Sequence, residues 1–232
     1  MPEPDAGARL QGRLRLVNRI QAQTRELDTP HGSARVHVHA VTRPRAALVL
    51  GHGAGGGVSA PDLLTATAAA RSEDLTVVLV EQPYRVAGRR SPAPARQLDV
   101  AWTVVLASLR ADQLRGLAVV VGGRSMGARV ACRTASAVGA AAVLCLAFPL
   151  EPPRRATGKQ APSRLPELDA VSVPTLVIQG ERDQFGMPPA APGRSVVAVK
   201  GDHSLRSDLT TIGLSVGRWL ASLDLLAAAR PV

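Results

Sequence analysis

Residues Gly123-Arg124-Ser125-Met126-Gly127 place a serine between two glycines, where an apolar β-branched run, Leu117 to Val121, gives way to a helix-favouring stretch, Met126 to Ala137. A chain turning so tightly from strand to helix needs glycines on both sides, and the turn lifts the serine side chain clear of the backbone. A hydroxyl held there is exposed for nucleophilic attack, beside helix N–H groups and a dipole that favour a nearby anion. The pentapeptide also fits a plain serine in a glycine-rich turn, so the reading depends on what the rest of the chain supplies.

Two segments supply partners. After the run Thr175 to Gln179 the chain reads Gly180-Glu181-Arg182-Asp183-Gln184-Phe185-Gly186, and after Ser195 to Val199 it reads Lys200-Gly201-Asp202-His203-Ser204. A carboxylate in the first turn can reach a histidine in the second and hold its ring in the tautomer that accepts a proton from serine. Asp183 is the expected acid and His203 the expected base. Glu181 is the competing acid, less favoured because it lies closer to its strand. The order Ser125, Asp183, His203 is that of sites in which a nucleophile elbow is followed by its acid and its base.

A third segment, Gly51-His52-Gly53-Ala54-Gly55-Gly56-Gly57, follows the run Ala46 to Leu50. It lacks the Lys-Ser/Thr of a phosphate-cradling loop and reads better as an oxyanion hole. The N–H groups of Met126 and Ala54 are then expected to hold the negative charge of a tetrahedral intermediate, with Gly53 and Gly55 against the substrate. Glu81-Gln82-Pro83-Tyr84-Arg85 ends on the same edge, so Tyr84 and Arg85 either line the acyl or leaving-group side of the pocket or pack the turn. Arg124, inside the elbow, is free to brace a loop through a carboxylate.

These segments must be positioned by a common frame. Apolar runs at Ala46–Leu50, Thr76–Val80, Leu117–Val121, Ala141–Leu146, Thr175–Gln179 and Ser195–Val199 alternate with Ala- and Leu-rich stretches at Ala60–Ser72, Ala95–Arg110, Met126–Ala137 and Ser207–Ala228. Continuous apolar strands between helices predict an α/β fold, a mostly parallel central sheet covered on both faces, whose ligands bind outside the carboxyl ends of the strands. Arg25 to Ala40 alternates as a half-exposed strand, with His37 and His39 on one face; no third ligand accompanies them, so a solvated face is preferred to a metal site. Glu151 to Pro166, rich in Pro and Arg, is the one plausible insertion or lid.

A chain of 232 residues with 46% hydrophobic content suits one sizeable domain, expected over residues 21–232 behind a loose segment at 1–20. Aromatics make up 2%, so the core must be built from Ala, Val and Leu. The formal charge is +10, but the basic residues are scattered, and nearly all are arginine. Without a basic stripe or aromatic interleaving, no specific nucleic-acid partner is expected. Cys132 and Cys145 lack metal-ligand spacing and are expected to be reduced core thiols. The first residues carry acids and prolines rather than an apolar signal, and no run is long enough to span a bilayer, so a cytoplasmic protein without membrane association is expected.

Several blocks in this order resemble the small α/β-hydrolases related to dienelactone hydrolase, most closely the Tex30/KANSL3-like branch. They are His52-Gly53-Ala54-Gly55-Gly56, Gln82-Pro83-Tyr84-Arg85 with Ala87-Gly88-Arg89-Arg90, Gly122 to Gly127, Phe148-Pro149-Leu150 with Pro152-Pro153, Gln179-Gly180 with Arg182-Asp183 and Phe185-Gly186, and Gly201 to Ser204. The resemblance spans roughly residues 45 to 220. It implies an α/β-hydrolase fold without a large cap, and a triad of Ser125, Asp183 and His203. The expected activity is cleavage of a small acyl substrate, an ester or thioester, through an acyl-enzyme, with no cofactor and no metal. A branch of this family serves as a non-enzymatic scaffold, which is the alternative. The sequence assigns no oligomeric state.

Overall fold

The computed structural model describes residues 22–152 and 161–225. The expected N-terminal segment, half of the expected lid and the end of the last expected helix lie outside these residues. Eight strands form one sheet: β1 (Gln23–Leu27), β2 (Ala34–His39), β3 (Ala46–Gly51), β4 (Leu75–Glu81), β5 (Val119–Arg124), β6 (Ala142–Leu146), β7 (Thr175–Gly180) and β8 (Arg194–Val199). Their spatial order is β1-β2-β4-β3-β5-β6-β7-β8, with β3 through β8 parallel and the β1–β2 and β2–β4 pairs antiparallel.

The apolar runs explain the layers. Successive side chains on a strand point to opposite faces. Val49, Val78, Val80, Val119, Val121 and Val143 therefore join one core, while Leu48, Leu50, Val77, Leu79, Val120 and Leu144 join the other. Helix α1 (Pro61–Ser72) and the final helix, α6 (Leu209–Ser222), cover the second face with Leu63, Ala66, Ile212, Val216 and Leu220. The short α2 (Pro83–Val86) follows β4. Helices α3 (Ala95–Ala111), α4 (Met126–Thr134) and α5 (Leu165–Asp169) bring Trp102, Val105, Leu106, Val130, Ala131 and Leu168 to the first face. Full burial of a Val or Leu contributes about 1.5–3 kcal/mol, so both helical layers are held mainly by aliphatic packing.

The expected half-exposed strand is two strands rather than one. Thr29-Pro30-His31-Gly32 interrupts it, with Thr29 and Gly32 exchanging backbone hydrogen bonds and the Thr29 hydroxyl donating to Gly32 O. Proline fixes φ and cannot donate to a ladder, so the chain turns there. Past the turn, β2 keeps the expected alternation: Ala34, Val36 and Val38 are buried, while Arg35, His37 and His39 face outward. His37 Nε2 lies 3.3 Å from Glu81 Oε2. Among the described residues no three metal-ligating side chains cluster.

Helix α4 stops at Thr134, short of Ala137, because the chain enters a turn ending at Gly139 with φ of +57°. Strand β5, in turn, extends three residues past Val121 to the serine. Cys132 and Cys145 are buried and free, with their sulfurs 3.5 Å apart. Among the described residues, no helix is long and apolar enough to cross a membrane.

Candidate active site

Ser125 follows β5 directly and occupies the N-cap position of α4, with φ of +52° and ψ of −106°. A side-chain-bearing residue at positive φ is strained, typically by about 1–3 kcal/mol, and persists only when its surroundings impose it. Here they do: Ser125 N–H donates to Leu146 O at 2.9 Å, and β3 crosses so close to α4 that a Cβ on Gly127 would collide with the Gly51 carbonyl. The glycine is what allows the helix to begin against the sheet.

The three side chains singled out by type meet at this edge. Ser125 Oγ lies 2.9 Å from His203 Nε2, and His203 Nδ1 lies 2.8 Å from Asp183 Oδ2. A carboxylate only accepts, so Asp183 fixes the ring proton on Nδ1 and leaves Nε2 to receive the serine proton. The Asp183 side chain is fully buried. Its remaining acceptor capacity is met by Phe185 N–H at 2.9 Å and by Gln179 Nε2 at 2.8 Å. Gln179 Nε2 also lies within 3.0 Å of the carbonyls of Phe148 and Gly186, so it ties β7 to the loop carrying the acid. Phe185 presents an edge to the His203 ring, with centroids 4.5 Å apart. Glu181 is exposed and takes no part in these contacts.

Arg124 braces the site as well. Its Nη2 donates to His203 O at 2.9 Å, and its Nε stands 2.9 Å from Asp62 Oδ2 on α1. The second contact is an ion pair without an aligned hydrogen bond. Burial pushes the Asp62 carboxyl up from its ordinary value, and the Arg124 charge pulls it back down. The cleft beside the histidine holds about 380 Å³ and is lined by Arg124, Arg182, Gln184, Asp202, His203 and Ser204.

The glycine-rich loop lies against Ser125. A Cβ placed on Gly53 would be 3.6 Å from Ser125 Cβ and 2.9 Å from Arg124 Nη1, whereas Gly55 is open to solvent. Met126 is the first residue of α4, so its N–H belongs to the group that has no intrahelical acceptor. Tyr84 is packed: it is 4% exposed, and its hydroxyl donates to Ala54 O at 2.9 Å. Burial pushes that phenol up to about 12, so it remains a donor. Arg85 is half-buried on α2, and neither residue borders the cleft beside His203. A separate cavity of about 390 Å³, with Tyr84 in its wall, lies between α2, the start of α3 and the β1–β2 turn. Sequence reasoning missed the supporting roles of Gln179 and Asp62. Asp62, following Pro61, carried only the ordinary sign of a helix start.

A hydroxyl, an imidazole and a buried carboxylate in series, at the carboxyl edge of a parallel sheet without a large cap, define the α/β-hydrolase class. The chain matches the model of the alpha/beta hydrolase domain over residues 44–211 and belongs to that family. No curated protein matches it significantly. Among solved structures it is similar to an α/β serine hydrolase without a lid from Xanthomonas campestris, with 20% identity, 87% of this chain and 96% of that one covered, and a TM-score of 0.65. It is also similar to an α/β serine hydrolase homologue from Coxiella burnetii, with 16% identity, 87% and 99% covered, and a TM-score of 0.68. A dienelactone hydrolase from Anabaena variabilis gives 15% identity, 88% and 99% covered, and a TM-score of 0.68. At these identities the likeness concerns the fold.

Proposed function

We propose that this protein is a serine hydrolase that cleaves a small ester or thioester through an acyl-enzyme. The observation that carries the reading is the unbroken series from Ser125 Oγ to His203 at 2.9 Å and from His203 to Asp183 at 2.8 Å. In this reading His203 takes the serine proton as Ser125 attacks the substrate carbonyl, and Asp183 stabilises the imidazolium that forms. The Met126 and Ala54 N–H groups hold the oxyanion. His203 returns the proton to the leaving group, and water, activated by the same imidazole, then releases the acid.

The block pattern favours the Tex30/KANSL3-like branch among dienelactone-hydrolase relatives. A reducing, cytoplasmic setting accords with two thiols that stay unbridged although close. The chemistry draws on these side chains and amides without a metal or organic cofactor, and the partner is a small acyl molecule.

A fluorophosphonate probe tests the reading, because it reacts readily only with an activated serine. Wild-type protein is expected to be labelled and Ser125→Ala to stay unlabelled. Equal labelling of both would remove Ser125 as the nucleophile. Failure of the wild type to react, or to hydrolyse any of a panel of acyl esters and thioesters, would leave a non-catalytic scaffold.

A further inference from the structure

The His52 ring is fully buried, and its two nitrogens face different partners. Nδ1 lies 2.8 Å from the carbonyl of Gly53, while Nε2 lies 3.1 Å from the backbone nitrogen of Gln82. A backbone N–H can only donate, so Nε2 is the bare nitrogen and Nδ1 carries the proton, which it gives to Gly53 O. Burial acts in the same direction, since it disfavours the charged ring.

The Gly53 carbonyl shares a peptide plane with the N–H of Ala54. That peptide is trans, so the two groups point in opposite directions. Fastening the carbonyl to His52 therefore aims the Ala54 N–H away from the buried ring. One residue on, Tyr84 fastens the Ala54 carbonyl at 2.9 Å and thereby fixes the plane that carries the Gly55 N–H. The loop needs such fastening, because four of its five residues from Gly53 to Gly57 are glycine and the backbone alone would not hold one orientation.

We propose that His52, as its neutral Nδ1–H tautomer, is a positioning residue for the oxyanion-binding amide of Ala54, with the Tyr84 hydroxyl fastening the next peptide plane and so limiting the rotation of Ala54 from its other side. The inference rests on the serine-hydrolase reading. His52 touches neither Ser125 nor the reacting atoms; it acts through the direction of a peptide plane. The charge that a tetrahedral intermediate develops is stabilised only by donors already aimed at it, so loss of the fastening should appear in the chemical step rather than in binding.

The test uses the full chain with p-nitrophenyl acetate, comparing His52→Leu, His52→Asn and Tyr84→Phe with wild type and Ser125→Ala. The amide nitrogen of Asn stands close to where Nδ1 stands and can donate to Gly53 O, whereas Leu cannot. His52→Leu is expected to lose about 10²-fold in kcat with KM changed by less than about threefold, the size of effect seen when one oxyanion donor is removed. His52→Asn is expected to recover most of that loss. Tyr84→Phe, which removes a single hydroxyl and carries the test if His52→Leu does not fold, should lower kcat about tenfold at unchanged KM. Wild-type kcat in the folded variants, equal losses in His52→Leu and His52→Asn, or a loss confined to KM would each overturn the positioning role. If Ser125→Ala is dead while these outcomes occur, only this inference fails. If Ser125→Ala hydrolyses the ester as fast as wild type, the serine-hydrolase reading fails and the inference with it.

Discussion

Asp183 and Glu181 are two residues apart, yet their surroundings separate them completely. Asp183 is enclosed by Gln179, Phe185 N–H and His203, while Glu181 faces solvent. Asp183→Asn should therefore keep the fold and lower kcat by up to about 10⁴-fold, because the amide favours the wrong imidazole tautomer. Glu181→Gln should stay close to wild type. Single-turnover hydrolysis of an activated ester, with thermal melting as the folding control, distinguishes the two; a dead Glu181→Gln beside an active Asp183→Asn would reverse the assignment. A second expectation concerns acid stability. Folded His52 resists protonation because it is buried, and the nearby Glu81 and Arg85 charges act on it in opposite directions. The unfolded chain takes up that proton below about 6.5, so this contribution to stability is full above that value and declines as pH falls toward the lower folded value. His52→Asn should consequently lose less melting temperature than wild type between pH 7 and pH 5; identical slopes would show that His52 contributes no such linkage. That Ser125, Asp183 and His203 meet at one edge was readable from residue type and spacing, because each lies in the turn that follows a strand of the sheet. The hydrogen bond from Tyr84 to the Ala54 carbonyl was not, since sequence does not say which backbone group a buried hydroxyl reaches.

Most elements were readable because a parallel sheet covered on both faces writes its central strands as uninterrupted apolar runs. The six runs from Ala46 to Val199 became β3 through β8 with ends shifted by a residue or two, except that β5 continued through Gly122 and Gly123 to Arg124. Glycines ordinarily end a strand pattern, and here they are retained because neighbouring backbone leaves no space for side chains. The β1–β2 turn was missed for a related reason: a period-two pattern says which face a residue takes and says little about where the chain reverses. The contact between α4 and β3 gives this scale its prediction. Gly127→Ala would drive a methyl group into the Gly51 carbonyl, so we expect a loss of about 1–3 kcal/mol in urea unfolding, together with displacement of Ser125 and reduced fluorophosphonate labelling. Unchanged stability would mean that α4 can withdraw from the sheet without cost.

At the scale of the whole molecule, the charge of +10 comes from basic residues scattered along the sequence rather than gathered in one run. Arg25, Arg35, Arg129, Arg133 and Arg194 each meet a carboxylate, on strands at both ends of the sheet and on the helices of its first face. Duplex DNA should therefore bind weakly, without sequence preference, and release at moderate salt; tight, sequence-selective binding at physiological ionic strength in a fluorescence-anisotropy titration would overturn this. The same pairs bear on how the protein behaves at high concentration. Strand β1 stands at the end of the sheet, and an outer strand offers a row of backbone donors and acceptors that another copy could extend. Here that strand is only five residues long and almost wholly exposed, with Arg25 held to Asp112 and Glu26 held to Arg35. A second chain aligning along it would have to strip water from these charges and crowd like beside like. The hairpin that completes the sheet thus also discourages its growth into a fibre.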